Sequence, residues 1–179
     1  MTYLKFISGL LFIATFACGQ TSSGTQSKSH MTNPYYPSYI IFGVFCGECS
    51  GQCATMYRYN MMENSNTLFV DSTDSYFKNY GNIVCKTQIN DIAKFKIVNK
   101  LVQQIPQSLL KINKAELTFG CPDCTDGCGI YFELGQGTTT KKFYIDYHTS
   151  QLKKEAKDFG EFVKETLIQL TKKNDKTSY

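Results

Sequence analysis

The sequence predicts an α+β domain, an antiparallel sheet covered by two helices, with an apparent internal duplication of the order β, cysteine cluster, β, β, α. Three observations predict it. Short runs rich in β-branched and aromatic residues recur between turn-forming stretches. Two longer segments, one central and one near the C-terminus, carry apolar residues at helical spacing. A Cys-x-x-Cys-x-x-x-Cys segment occurs twice, each time between two strand-like runs.

The first element is not part of the domain. Residues 1–17 begin with one positive charge, Lys5, and continue into an apolar run from Phe6 to Ala17. At roughly a dozen residues that run is too short to cross a bilayer core as a helix. A basic start, a short apolar stretch and a small final residue form the pattern of a secretory signal peptide. Cys18 follows Ala17 directly, after the loose lipobox Ala14-Thr15-Phe16-Ala17. The expectation is a lipoprotein cleaved before Cys18, with palmitate-type acyl chains on its thiol and amine that hold the protein on a membrane. Residues 18–33 are Gly, Ser, Thr, Gln and other mostly polar types that cannot bury apolar area, so they read as a flexible tether with a solvated His30.

Residues 34–179 remain for one domain. Tyr39 to Phe45 is a β-rich run, followed by Cys46-Gly-Glu-Cys49-Ser-Gly-Gln-Cys53. Ala54 to Asn60 alternates, with Tyr57 and Tyr59 on one face and Met56 and Arg58 on the other. After a turn at residues 63–66, Thr67 to Asp71 is a further strand, and a polar stretch with Tyr76, Phe77 and Tyr80 leads to Ile83-Val84-Cys85. Asn90 or Asp91 can cap a helix whose Ile92, Phe95, Val98, Leu101, Val102 and Ile105 share one side, and Pro106 stops it. Ala115 to Phe119 opens the second half, before Gly120-Cys121-Pro-Asp-Cys124-Thr-Asp-Gly-Cys128. A strand at 129–134, a turn at 135–137 and a strand at 142–146 follow. The last helix runs from about Leu152 to Leu170 and buries Ala156, Phe159, Phe162, Val163, Leu167 and Leu170.

Composition sets further bounds. The domain is long enough for a proper core, and the 13 Phe and 12 Tyr of the whole chain, most of them in the domain, suit a sheet packed on helices. A formal charge of +4, one unit of it on Lys5, is too small an excess to argue for nucleic acid. Lys153, Lys154, Lys157, Lys164, Lys172 and Lys173 are spread along the C-terminal segment as a solvated helix face.

Seven cysteines stay with the domain: Cys46, Cys49, Cys53, Cys85, Cys121, Cys124 and Cys128. In an oxidising compartment the default is three disulfide staples, within or between the two loops, and an odd thiol. Cys85 is either that odd thiol, buried and inert, or the partner of a cluster cysteine. Two alternatives stand beside the staples. Thiolates from both clusters suit a zinc or iron–sulfur centre, because paired Cys-x-x-Cys loops reach one tetrahedron. Cys46-Gly-Glu-Cys49 and Cys121-Pro-Asp-Cys124 also look like the redox dithiols of the thioredoxin and glutaredoxin families, although no activating helix follows Cys49.

Other chemistry is poorly supplied. His148 is the one histidine of the domain, and Asp146-Tyr147-His148 reads as a surface turn. There is no Gly-x-Ser-x-Gly, phosphate loop or His-Glu-x-x-His. Asp71-Ser-Thr-Asp74 lacks the glycine and periodicity of a calcium loop and reads as a turn. Tyr35, Tyr36 and Tyr39 read as packing at the domain's edge, with a contact surface as the alternative.

The signal, the cysteine at the cut site, the polar tether and the domain size together resemble the lipoproteins of Bacteroidota-type bacteria. Cys49-Ser-Gly51-Gln-Cys53 followed by Tyr57 resembles domain-of-unknown-function families there, which carry Cys-x-Gly-x-Cys at the head of an antiparallel sheet. This chain lacks the Pro that such families place after the second Cys. The resemblance implies a habitat and a fold, and transfers no activity. The expectation from sequence is a lipid-anchored protein of the bacterial cell envelope, non-catalytic and without a cofactor, binding or scaffolding a protein or small-molecule ligand.

Overall fold

The computed structural model describes residues 36–62, 65–122, 124 and 127–172. Residues 1–17, read from sequence as a signal peptide, Cys18, read as an acylation site, and residues 18–33, read as a tether, lie outside the described residues, as do Tyr35 and Lys173.

The domain is α+β. Its seven strands are β1 (Tyr39–Cys46), β2 (Ala54–Asn60), β3 (Thr67–Asp71), β4 (Thr87–Ile89), β5 (Glu116–Phe119), β6 (Cys128–Gln136) and β7 (Thr139–Asp146). They form one sheet in the order β4-β3-β2-β1-β6-β7-β5. Every pairing is antiparallel except that of β5 with β7. The helices are α1 (Ser75–Lys78), α2 (Ile92–Gln103), α3 (Gln107–Lys111) and α4 (Lys154–Thr171), with a 3-10 turn at Thr149–Gln151.

The central strands read as nearly continuous apolar runs because both of their faces are covered. From β1, Ile40 and Phe42 join Tyr57, Tyr59, Ile130, Phe132, Phe143 and Ile145 in a core beneath α2 and α4. Val98, Leu101 and Val102 of α2, with Phe159, Val163, Leu167 and Leu170 of α4, close that core from above. Ile41, Phe45, Ala54, Met56 and Tyr131 face the other way, into a smaller cluster covered by Tyr76 of α1 and by Ile83 and Cys85. The alternation in β2 therefore fell as the sequence indicated: Tyr57 and Tyr59 to the helices, Met56 to the opposite side. Each fully buried Leu, Ile or Phe contributes about 1.5–3 kcal/mol of transfer free energy, so the larger core dominates stability.

Local chemistry sets the element ends. The Asp91 carboxylate accepts from the amides of Ala93 and Lys94 at 2.8 and 3.3 Å, capping α2. Pro106 ends the segment as expected and starts α3. Ile92 is 77% exposed, contrary to its assignment to the apolar stripe, because it occupies the first helical position beyond the sheet's cover. Phe162 is only partly buried and packs at the margin of the core. Helix α4 starts at Lys154, two residues later than expected, since Leu152 closes the 3-10 turn. The second turn is also shorter: β6 runs through Gln136, and Gly135 stays in the strand with the Tyr39 ring lying directly on its Cα. A side chain there would stand 1.9 Å from that ring. Three elements escaped periodicity altogether, β4, α1 and α3, because three to five residues are too few to show it.

The order β, cysteine cluster, β, β, α occurs in both halves only with α1 and β4 interposed in the first, and the pairing is not duplicated. In the first half the cysteine cluster joins neighbouring strands, β1 and β2, as a hairpin loop. In the second half it joins β5 to β6 with β7 lying between them. The second cluster must therefore pass over the end of β7.

Candidate functional site

That crossing gathers the cysteines. Phe45 pairs with Ala54, Cys46 with Cys128, Phe119 with Ile145 and Gly129 with Asp146. The end of β1, the start of β2, the end of β5, the start of β6 and the end of β7 thus share one end of the sheet. Both clusters sit there, and the amide of Gly47 donates to the carbonyl of Gly127 at 3.2 Å across the two loops.

Six of the seven cysteines are bonded in pairs. Cys46–Cys128 joins the two clusters across the central strands, with Cα atoms 4.0 Å apart. Cys49–Cys53 closes the hairpin loop, Cα–Cα 5.6 Å. Cys121–Cys124 closes the second loop, Cα–Cα 5.4 Å. The two clusters are used differently: the first pairs its second and third cysteines locally, the second its first and second. Asp123, Thr125 and Asp126 of the second loop lie outside the described residues.

Cys85 is the free cysteine among the described residues. It is half-buried against the smaller cluster, and its thiol donates weakly to the Met56 carbonyl at 3.7 Å. Burial, with the Asp71 carboxylate nearby, pushes its pKa up to about 12, so at neutral pH it is an unreactive thiol. Zinc or iron–sulfur ligation needs several thiolates at one point. Here the cluster sulfurs are taken up in pairs, and no group of three or more His, Cys, Asp or Glu side chains suited to a metal ion occurs among the described residues.

A cleft of about 200 Å3 opens beside the second cluster. It is lined by Cys121, Cys124, Gly127, Cys128, Asp146, His148, Ser150 and Gln151. Asp146 organises its wall. One carboxylate oxygen accepts from the Cys121 amide at 3.1 Å, and the other from the His148 amide at 2.8 Å. Gly120 makes that approach feasible. It adopts a φ of +75°, and a side chain on it would collide with Asp146 and Leu152. Behind the wall, Thr149 donates its hydroxyl to Glu161 of α4, which anchors the turn that carries Ser150 and Gln151. Asp146-Tyr147-His148 is indeed a strand-end turn, as read from sequence. Its place beside Cys121 depends on the parallel pairing of β5 with β7, a long-range contact that no local pattern announces.

A second polar site lies beside the first loop, where the Gln52 amide group donates to the Asp71 carbonyl at 3.2 Å. Asp71 is fully buried and accepts from the amide and hydroxyl of Thr73 at 2.8 and 2.7 Å, and from the amide and hydroxyl of Ser75, both at 2.7 Å. Burial would raise its pKa, but these four donors outweigh burial and hold it below the ordinary value. Asp74 accepts from the Ala54 amide at 2.8 Å. The segment Asp71-Ser-Thr-Asp74 is a turn, as expected, that locks α1 onto the start of β2.

Compared with known proteins, the chain matches no protein family, no curated sequence and no solved structure.

Proposed function

We propose that this is an exported protein, anchored through an acylated Cys18 to the bacterial cell envelope, whose disulfide-stapled domain binds or scaffolds a partner at the membrane surface. The observation that carries the reading is the pairing of six cysteines at one end of the sheet. Disulfides persist in oxidising compartments and are rare in the cytosol, so three of them agree with the signal-like residues 1–17. The tether 18–33 then sets the domain free of the lipid surface while keeping it local. A sheet stapled at one end offers a binding partner a pre-ordered surface, which lowers the entropic cost of association.

The test is intact mass of the protein purified from its native envelope, before and after alkylation under denaturing conditions, with metal analysis on the same sample. The expected result is a chain starting at an acylated Cys18 with one alkylated cysteine, Cys85, which resists the reagent until the protein is unfolded. Four or more alkylated cysteines with stoichiometric zinc or iron would overturn the stapled reading. An unacylated chain would overturn the anchor.

A further inference from the structure

The three disulfides are not equivalent in setting. Cys46–Cys128 spans 82 residues and ties the two central strands. Cys49–Cys53 closes an exposed hairpin loop that does not border the cleft. Cys121–Cys124 spans three residues, both its cysteines are exposed, and both line the cleft. A ring that small, like that of Cys49–Cys53, removes little freedom from the unfolded chain, so both are far weaker staples than Cys46–Cys128. Around it stand a concave opening, one carboxylate that fixes the Cys121 backbone, and His148, Ser150 and Gln151 on the rim.

We propose that Cys121–Cys124 is an exchangeable disulfide that takes electrons from the dithiols of exported proteins or peptides entering this cleft. In the first step a partner thiolate attacks one of the two sulfurs. A partner–cysteine S–S bond forms as the Cys121–Cys124 bond breaks, and the electron pair leaves on the other sulfur, which takes up the proton the partner thiol released. In the second step the partner's other thiol, as thiolate, attacks its own sulfur in the mixed disulfide. The partner's disulfide closes and the remaining cysteine leaves and is protonated. Two partner thiols lose two electrons and two protons, and Cys121 and Cys124 gain them. Exposure allows the attack, and both sulfurs belong to residues that border the open cleft. The half-buried Cys85, with its raised pKa and no place on the cleft, has neither property. This inference goes beyond the scaffold reading and does not depend on the anchor, because it is tested on purified protein.

The experiment exposes the oxidised full-length domain with its tether to glutathione redox buffers. Thiols are trapped by alkylation at timed intervals and mapped by peptide mass, while circular dichroism follows the fold. The expected result is that Cys121 and Cys124 become alkylatable at least about tenfold faster than Cys46, Cys128, Cys49 and Cys53, with the spectrum unchanged and the pair reforming on return to oxidised glutathione. The Cys121→Ser/Cys124→Ser double variant is expected to fold and to lose the capacity to oxidise a synthetic peptide dithiol, which the unmodified protein oxidises one for one. Simultaneous reduction of all three bridges, reduction only with loss of the spectrum, or undiminished peptide oxidation by the double variant would each overturn the proposal.

Discussion

At Asp71 a single carboxylate satisfies two amides and two hydroxyls, and the Ser75 hydroxyl in turn accepts from the Val84 amide at 2.7 Å. This chain of bonds holds the segment carrying Ile83 and Cys85 over the smaller cluster. The folded-state pKa is depressed, so the stabilisation is present above the ordinary carboxylate pKa and is lost as pH falls through the folded value. Asp71→Asn keeps the shape but loses the charge and one acceptor oxygen. It should cost about 2–3 kcal/mol at neutral pH, the scale of charge-assisted bonds lost from a buried site. Urea unfolding between about pH 3 and pH 7 checks both points, since the variant's stability should vary less with pH on the acid side than the parent's. An unaltered acid limb would assign the pH dependence to other carboxylates.

Among elements, α2 shows how far local signals reach. Its cap, to within Asn90 or Asp91, its apolar stripe apart from Ile92, and its stop before Pro106 were legible, because each depends on residues within one or two turns. Asp91→Ala should destabilise the domain by about 1 kcal/mol through the lost cap, seen as a lower urea midpoint with an unchanged slope. Helix α4 was legible for the same reason, through its amphipathic spacing over 18 residues. Apart from β4, the strands were legible as runs, but not their partners. Nothing near Ala115 indicates that β5 will lie parallel to β7 and not beside β6.

For the whole molecule, the decisive covalent link is Cys46–Cys128, which joins residues 82 apart in sequence on the two central strands. In the loop-entropy model such a link is worth about 4.5 kcal/mol, whereas a link between residues three or four apart is worth only about 2 kcal/mol. The Cys46→Ser/Cys128→Ser variant should therefore lose far more stability than the Cys121→Ser/Cys124→Ser variant, as read by thermal unfolding of both. Equal losses would show that the cleft disulfide carries structural stress as well, and would count against its exchange.

Legible from local spacing were the α+β class, both long helices and their stops, the facing of β2 and the pattern of two cysteine clusters. Long-range packing settled which cysteine bonds which, that Cys85 stays apart, and that Asp146 and His148 stand beside Cys121. The reason is physical. Helical and strand periodicity report which face of a segment is buried, but strand order and register are set by the packing of residues far apart in the chain. Here β7 lies between β5 and β6, and the second cluster has to cross its end. That crossing brings the strand-end turn, the cleft and the exposed disulfide together, and no segment of the chain read alone contains it.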